Sequence, residues 1–153
     1  MTSESRMNMT PEELIEEIKA KGISAEDILK LFFNAKKTQS KQLEVYVTEI
    51  LKDLGIPANI KGYRYIRRAI IIAHEKPSVS ITKELYPSIA REFETTASRV
   101  ERAIRHAIDV SWVRGNSDTI NEIFGRSISG DKGKPTNSEF ILQIADKIYL
   151  ESN

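Results

Sequence analysis

Three side chains within the segment PSIAREFETTASRVERAIRHAIDVSWVR, residues 87–114, have the types and spacing to read the edges of base pairs: Glu101, Arg102 and Arg105. An arginine donates two hydrogen bonds to guanine O6 and N7, and a glutamate accepts one from cytosine N4. Steps of three and four residues put Arg102 and Glu101 on the same side of a helix as Arg105. A carboxylate facing DNA repels phosphates, so Glu101 makes sense where it accepts from a base. Ser98, Arg99, Thr96 and His106 flank this stripe and suit backbone or edge contacts, as do the amides of a helix N-terminus. Lys83, ahead of the helix, is a further backbone contact. The competing reading of the stripe is a solvated face of ion pairs such as Glu101–Arg105.

Such side chains need a helix that presents them, and the flanking residues predict one over 97–114, introduced by Thr95 and Thr96 and closed by Gly115. Val100, Ala103, Ile104, Ala107, Ile108 and Ser111 recur at steps of three and four and form its inward side. A shorter helix over 87–93, opened by Pro87, precedes it across a turn of about three residues, which is helix-turn-helix spacing. Ala90 and Val100 occupy the two facing positions where such a unit needs a small residue and a branched one. One departure from the common pattern is visible: Glu94 stands in the turn where glycine is usual.

The rest of the chain also reads as helices. Thr10-Pro11-Glu12-Glu13 opens a short one with Leu14, Ile15 and Ile18, and Gly22 ends it. Ser24 caps a second, carrying Ile28, Leu29, Leu31, Phe32 and Phe33. The polar stretch 34–42 reads as a linker or as an extension of that helix. From Leu43 the apolar period resumes through Leu54, and Gly55 and Pro57 stop it. Residues 62–76 form a buried helix despite the β-branched run Ile70-Ile71-Ile72, because its neighbours keep a helical period. Residues 80–85 are a short helix or turn, Ser117 to Phe124 another helix, and 126–135 a polar loop. Thr136-Asn137-Ser138-Glu139 has capping-box spacing and opens a last helix.

Composition narrows the functional classes. With no cysteine among 153 residues, disulfides and thiolate metal sites are excluded. The longest apolar run, residues 69–73, is too short to cross a membrane, and the N-terminus lacks a secretory pattern, so the cytoplasm is the expected compartment. The net charge of +1 hides an uneven distribution: residues 61–115 carry eleven Lys/Arg against six Asp/Glu, while both flanks are acidic. That is the distribution expected if the middle third meets a polyanion. His74 and His106 have no ligand-spaced acids beside them. The stretch from Gly130 to Thr136 lacks the glycine and hydroxyl positions of a phosphate-binding loop. Trp112 reads as a packing anchor. No catalytic constellation emerges, so no enzyme activity and no cofactor or metal is expected.

Four stretches together resemble a known family: GIPANIKGYRYIRRAI, SITKELYPSIAREF, TTASRVERAIRHAIDVSWVRGN and KPTNSEFILQIADKIYLE. They are similar to the C-terminal effector domain of the stage zero sporulation response regulator over roughly residues 55–150. The resemblance implies an all-α bundle of about six helices containing a helix-turn-helix that binds short asymmetric boxes, often in tandem. It implies base contacts from Glu101, Arg102 and Arg105 and a recognition helix over 96–114. It also implies dimer contacts from the final helix, at Ile141, Ile144, Ala145 and Ile148. The partners it implies are double-stranded DNA, a second copy on tandem sites, and RNA polymerase. Residues 1–42 are too short for the family's α/β receiver and read as an N-terminal helical pair ahead of a domain at 43–153. Either the chain is an excised effector domain or a stand-alone relative, with Met1 and the capped pair favouring the second. In both cases phosphorylation-driven dimerisation cannot be built from these residues. The alternative function is a protein-interaction module that dimerises with a full-length homologue and has little DNA affinity of its own.

Overall fold

The computed structural model describes residues 8–125 and 133–152. Positions 126–132 of the expected polar loop, with Gly130, Asp131 and Lys132, lie outside the described residues. Every regular element among the described residues is helical, and the chain divides into two compact units, Met1–Gln42 and Leu43–Asn153.

In the first unit, α1 (Pro11–Ala20) begins at a capping box. The Thr10 hydroxyl accepts from the Glu13 N–H at 3.2 Å, and the Glu13 carboxylate accepts from the Thr10 N–H at 2.8 Å, which satisfies two otherwise orphaned donors. Ser24 and Asp27 repeat the device ahead of α2 (Ala25–Asp53). The second helix runs unbroken through 34–42, so the polar stretch is a helix extension and not a linker. Its sequence NAKKTQSKQ contains no glycine or proline and is rich in good helix formers. The apolar side chains Leu14, Ile15, Leu29, Leu31, Phe32 and Phe33 of this unit are about half exposed or more.

The second unit holds the core. The last turns of α2 bury Val47, Ile50 and Leu51. Then follow α3 (Lys61–Glu75), a π-helical turn (Ile81–Leu85), α4 (Tyr86–Glu92), α5 (Ala97–Arg114), α6 (Ser117–Phe124) and α7 (Asn137–Glu151). The central element is α3, which packs on α5, α7 and α4. Ile66 and Ile70 are fully buried, and the β-branched run is helical as its neighbours required. Burying such a side chain stabilises the fold by about 1.5–3 kcal/mol. Gly62, in the first turn of α3, sits hard against α5. A Cβ there would lie 2.2 Å from the Ala103 carbonyl oxygen and 2.8 Å from the Ala107 Cβ. The π-helical turn is opened by Ser80, whose carbonyl accepts from the Leu85 N–H five residues on, at 3.0 Å.

The structure corrects the expectation for the last helix. Ile141, Ile144, Ala145 and Ile148 are 0–4% exposed and lie in the core of their own chain, so they have no surface to offer a second copy. The physical reason is that α7 covers α3, and the apolar stripe on which the resemblance placed dimer contacts is the stripe this packing consumes. The outward side of α7 instead carries Leu142, Asp146, Tyr149 and Leu150. Near its end the Tyr46 hydroxyl donates to the Glu151 carboxylate. That hydrogen bond, with some burial, pushes the Tyr46 phenol up to about 12.

Candidate nucleic-acid interface

The two helices α4 and α5 pack through Ile89, Ala90, Val100 and Ile104, all buried, and the small Ala90 lets them approach. The turn between them reverses the chain at Glu94, whose φ of 53° is left-handed backbone. Glycine takes that conformation without steric cost, and glutamate at some cost. Glu94 therefore does the job that the missing glycine would have done. Thr96 then caps α5 by accepting from the Arg99 N–H at 3.2 Å. Ala103, expected on the inward side, is only partly buried, while Val100, Ile104, Ala107, Ile108 and Ser111 are buried.

On the other side of α5 a groove of ≈ 650 Å³ opens between this helix, the π-helical turn and the start of α7. It brings together Ser98, Glu101, Arg102, Arg105 and His106 of the sequence-predicted residues, with Thr82 on the facing turn. Glu101, Arg102, Ser98 and His106 are exposed. Thr96, Arg99 and Lys83 are also exposed but lie outside the groove lining. Beside Lys83, the Glu84 carboxyl is held below its usual range, first by the Ser80 N–H and then by Lys76.

Arg105 differs from its neighbours. It is half-buried, and its ion pair is with Asp109 rather than with Glu101. Its Nε and Nη2 donate to Asp109 Oδ1 at 3.3 and 3.1 Å, and its Nη1 donates to the Pro135 carbonyl at 2.9 Å. These bonds are part of a strap. Residues 133–137 run along α5 in the opposite direction to the helix and touch it about once per turn. Trp112 Nε1 donates to the Gly133 carbonyl at 2.5 Å, and Lys134 Nζ meets Asp109 Oδ1 at 3.1 Å. The nearly buried Asn137 donates to the Glu101 carbonyl at 3.0 Å and to the Tyr86 hydroxyl at 3.2 Å. Desolvation against the strap pushes the Asp109 carboxyl up, but hydrogen bonds from Lys134 and Arg105 outweigh it, and its pKa is lowered.

The competing reading of the stripe paired Arg105 with Glu101, whereas its partner is Asp109, for which the four-residue spacing is equally permissive. Asn137 appeared only within a capping box, which it does adjoin: Thr136 accepts from the Glu139 N–H at 3.1 Å. Trp112 is a packing anchor, 5.4 Å from the Phe124 ring centroid, and also a rung of the strap. The two histidines lie on different helices, α3 and α5.

A family model described as "Sporulation initiation factor Spo0A C terminal" matches residues 47–148, two thirds of the chain. The chain belongs to this family. Its matched part is a DNA-binding regulator domain of the sporulation type, all-α in architecture. No helix among the described residues is long and apolar enough to cross a membrane.

Proposed function

We propose that the unit Leu43–Asn153 is a sequence-specific transcription regulator that lays α5 into the major groove. Glu101, Arg102 and Arg105 meet base edges there, and Thr96, Ser98, Arg99, His106 and Lys83 meet the backbone or its edges. The observation that carries this reading is the convergence of all three base-reading side chains in one groove at the N-terminal half of a capped helix. That half is the part of a recognition helix that reaches the bases. The first-turn amides that the Thr96 cap does not occupy suit a phosphate. Double-stranded DNA is the partner this face fits, and the cytoplasm is where such a protein would act. Two copies pairing on tandem sites through α7 would use its outward side, Leu142, Asp146 and Tyr149. RNA polymerase is the further partner that a regulator of this type engages.

The test begins with selection of bound duplexes from a random pool. On the selected site Arg102→Ala is expected to lose about 1–3 kcal/mol and to relax base choice at one position. Lys83→Ala is expected to weaken all sequences alike and to reduce the slope of log affinity against log salt by about 1. Wild-type discrimination by Arg102→Ala would remove the base-reading role. Absence of duplex binding even at low salt would favour the protein-interaction module instead.

A further inference from the structure

We infer that Asp109 is a positioning residue that sets the Arg105 guanidinium for a guanine, with the strap at 133–137 holding the pair in place. The inference rests on the base-reading role of Arg105 and adds the device that makes the reading selective.

A guanidinium has five N–H donors: one on Nε and two on each terminal nitrogen. In Arg105 the Nε donor and one on Nη2 go to Asp109 Oδ1, and one on Nη1 goes to the Pro135 carbonyl. One donor therefore remains on Nη1 and one on Nη2. Two donors on neighbouring nitrogens are what guanine O6 and N7 accept together. An arginine without such partners must give up rotamer freedom when it meets its base, and this one has already done so.

The strap also answers the electrostatic objection to a carboxylate beside DNA. Asp109 Oδ1 lies 3.1 Å from Lys134 Nζ as well as from Arg105, so the three groups together carry a net positive charge. Removing Asp109 should therefore leave binding to random DNA unchanged or stronger, while the aim of Arg105 is lost. A carboxylate that merely competes with DNA for Arg105 gives a different pattern: its removal tightens binding with no loss of base choice.

The experiment uses the full chain and fluorescence anisotropy on the selected duplex, its single-base variants and a random duplex. Arg105→Ala first identifies the base pair that Arg105 reads. Asp109→Ala is expected to cut discrimination at that base pair by about tenfold, comparable to loss of a bidentate contact, and to leave the position read by Arg102 unaffected. Asp109→Asn, which keeps an acceptor but no charge, should fall between. In the Arg105→Ala background, Asp109→Ala should cost nothing more at that position. Wild-type discrimination by Asp109→Ala overturns the inference, as does tighter binding with base choice intact. An equal loss at every position with a lowered melting temperature also overturns it, because that is the mark of a plain strut. If Arg105→Ala leaves base choice unchanged everywhere, the base-reading role of Arg105 fails and this inference falls with it.

Discussion

Replacing Gly62 by alanine sets two physical effects of opposite sign against each other. A glycine in a helix is less favourable than alanine by roughly 0.5–1 kcal/mol, so propensity alone predicts that Gly62→Ala stabilises. Packing predicts the reverse. The new Cβ would meet the Ala103 carbonyl oxygen at 2.2 Å and the Ala107 Cβ at 2.8 Å. The nearer obstacle is backbone of α5, which cannot rotate aside as a side-chain tip would. Overpacking typically costs about 1–3 kcal/mol, and a backbone clash belongs at the upper end. The net expectation is a loss of about 2 kcal/mol, or a fall in melting temperature of roughly 9 °C for a domain of this size. Urea and thermal unfolding followed by far-ultraviolet circular dichroism measure it directly. Gly22→Ala is the companion variant: nothing lies within 4 Å of its Cβ, but its φ is +69°. There the cost should be only the left-handed strain, about 1 kcal/mol. A Gly62→Ala protein as stable as wild type, or more so, would refute the close approach of α3 to α5.

Other expectations follow from single positions. At Glu94, with φ 53°, a glycine should stabilise by less than about 1 kcal/mol, because relief of strain is partly offset by unfolded-chain entropy. A valine there should instead destabilise by more than about 1 kcal/mol, and equal stabilities would count against the left-handed turn. The Tyr46 phenol, raised from 10.0 to about 12 chiefly by its hydrogen bond to Glu151, contributes stability that is complete below pH 10. That contribution is lost as pH rises towards about 12, because the folded state then holds a proton that the unfolded chain releases. Phenolate absorbance should show a late-titrating tyrosine that Tyr46→Phe removes, and an unchanged titration in the variant would rule the bond out.

Much of the fold was legible because local chemistry fixes helix ends. Thr10, Ser24, Thr96 and Thr136 each cap where their neighbours said they should, and Gly115 closes α5. The inward stripe of α5 was legible by period. Two kinds of feature were not. An apolar stripe says that something covers it but not what, so the stripe on α7 was compatible with the dimer contacts that the resemblance implied, while the covering element was α3. Contacts between distant segments leave no period at all. The bond from Arg105 to Pro135 spans 30 residues, and that from Asn137 to Glu101 spans 36. Nothing in the spacing of either segment announces them. The stripe of Glu101, Arg102 and Arg105 was visible in the sequence, whereas the contacts that hold Arg105 to Asp109 and Pro135 were not.

The π-helical turn before α4 has a consequence for chain length. A turn closed by a bond over five residues, as from the Leu85 N–H to the Ser80 carbonyl, holds one residue more than an ordinary helical turn. The same carbonyl also accepts from the Glu84 N–H at 3.0 Å. Deleting one residue between Ser80 and Tyr86 would leave only four-residue bonding and rotate the preceding turn by about 100° relative to α4. Ile81 and Leu85, both buried, could not keep their seats together after that rotation, and the cation at Lys83 would swing to another side. The turn thus works as a gauge of helical phase. A relative one residue shorter here would present the same lysine on a different side of the turn.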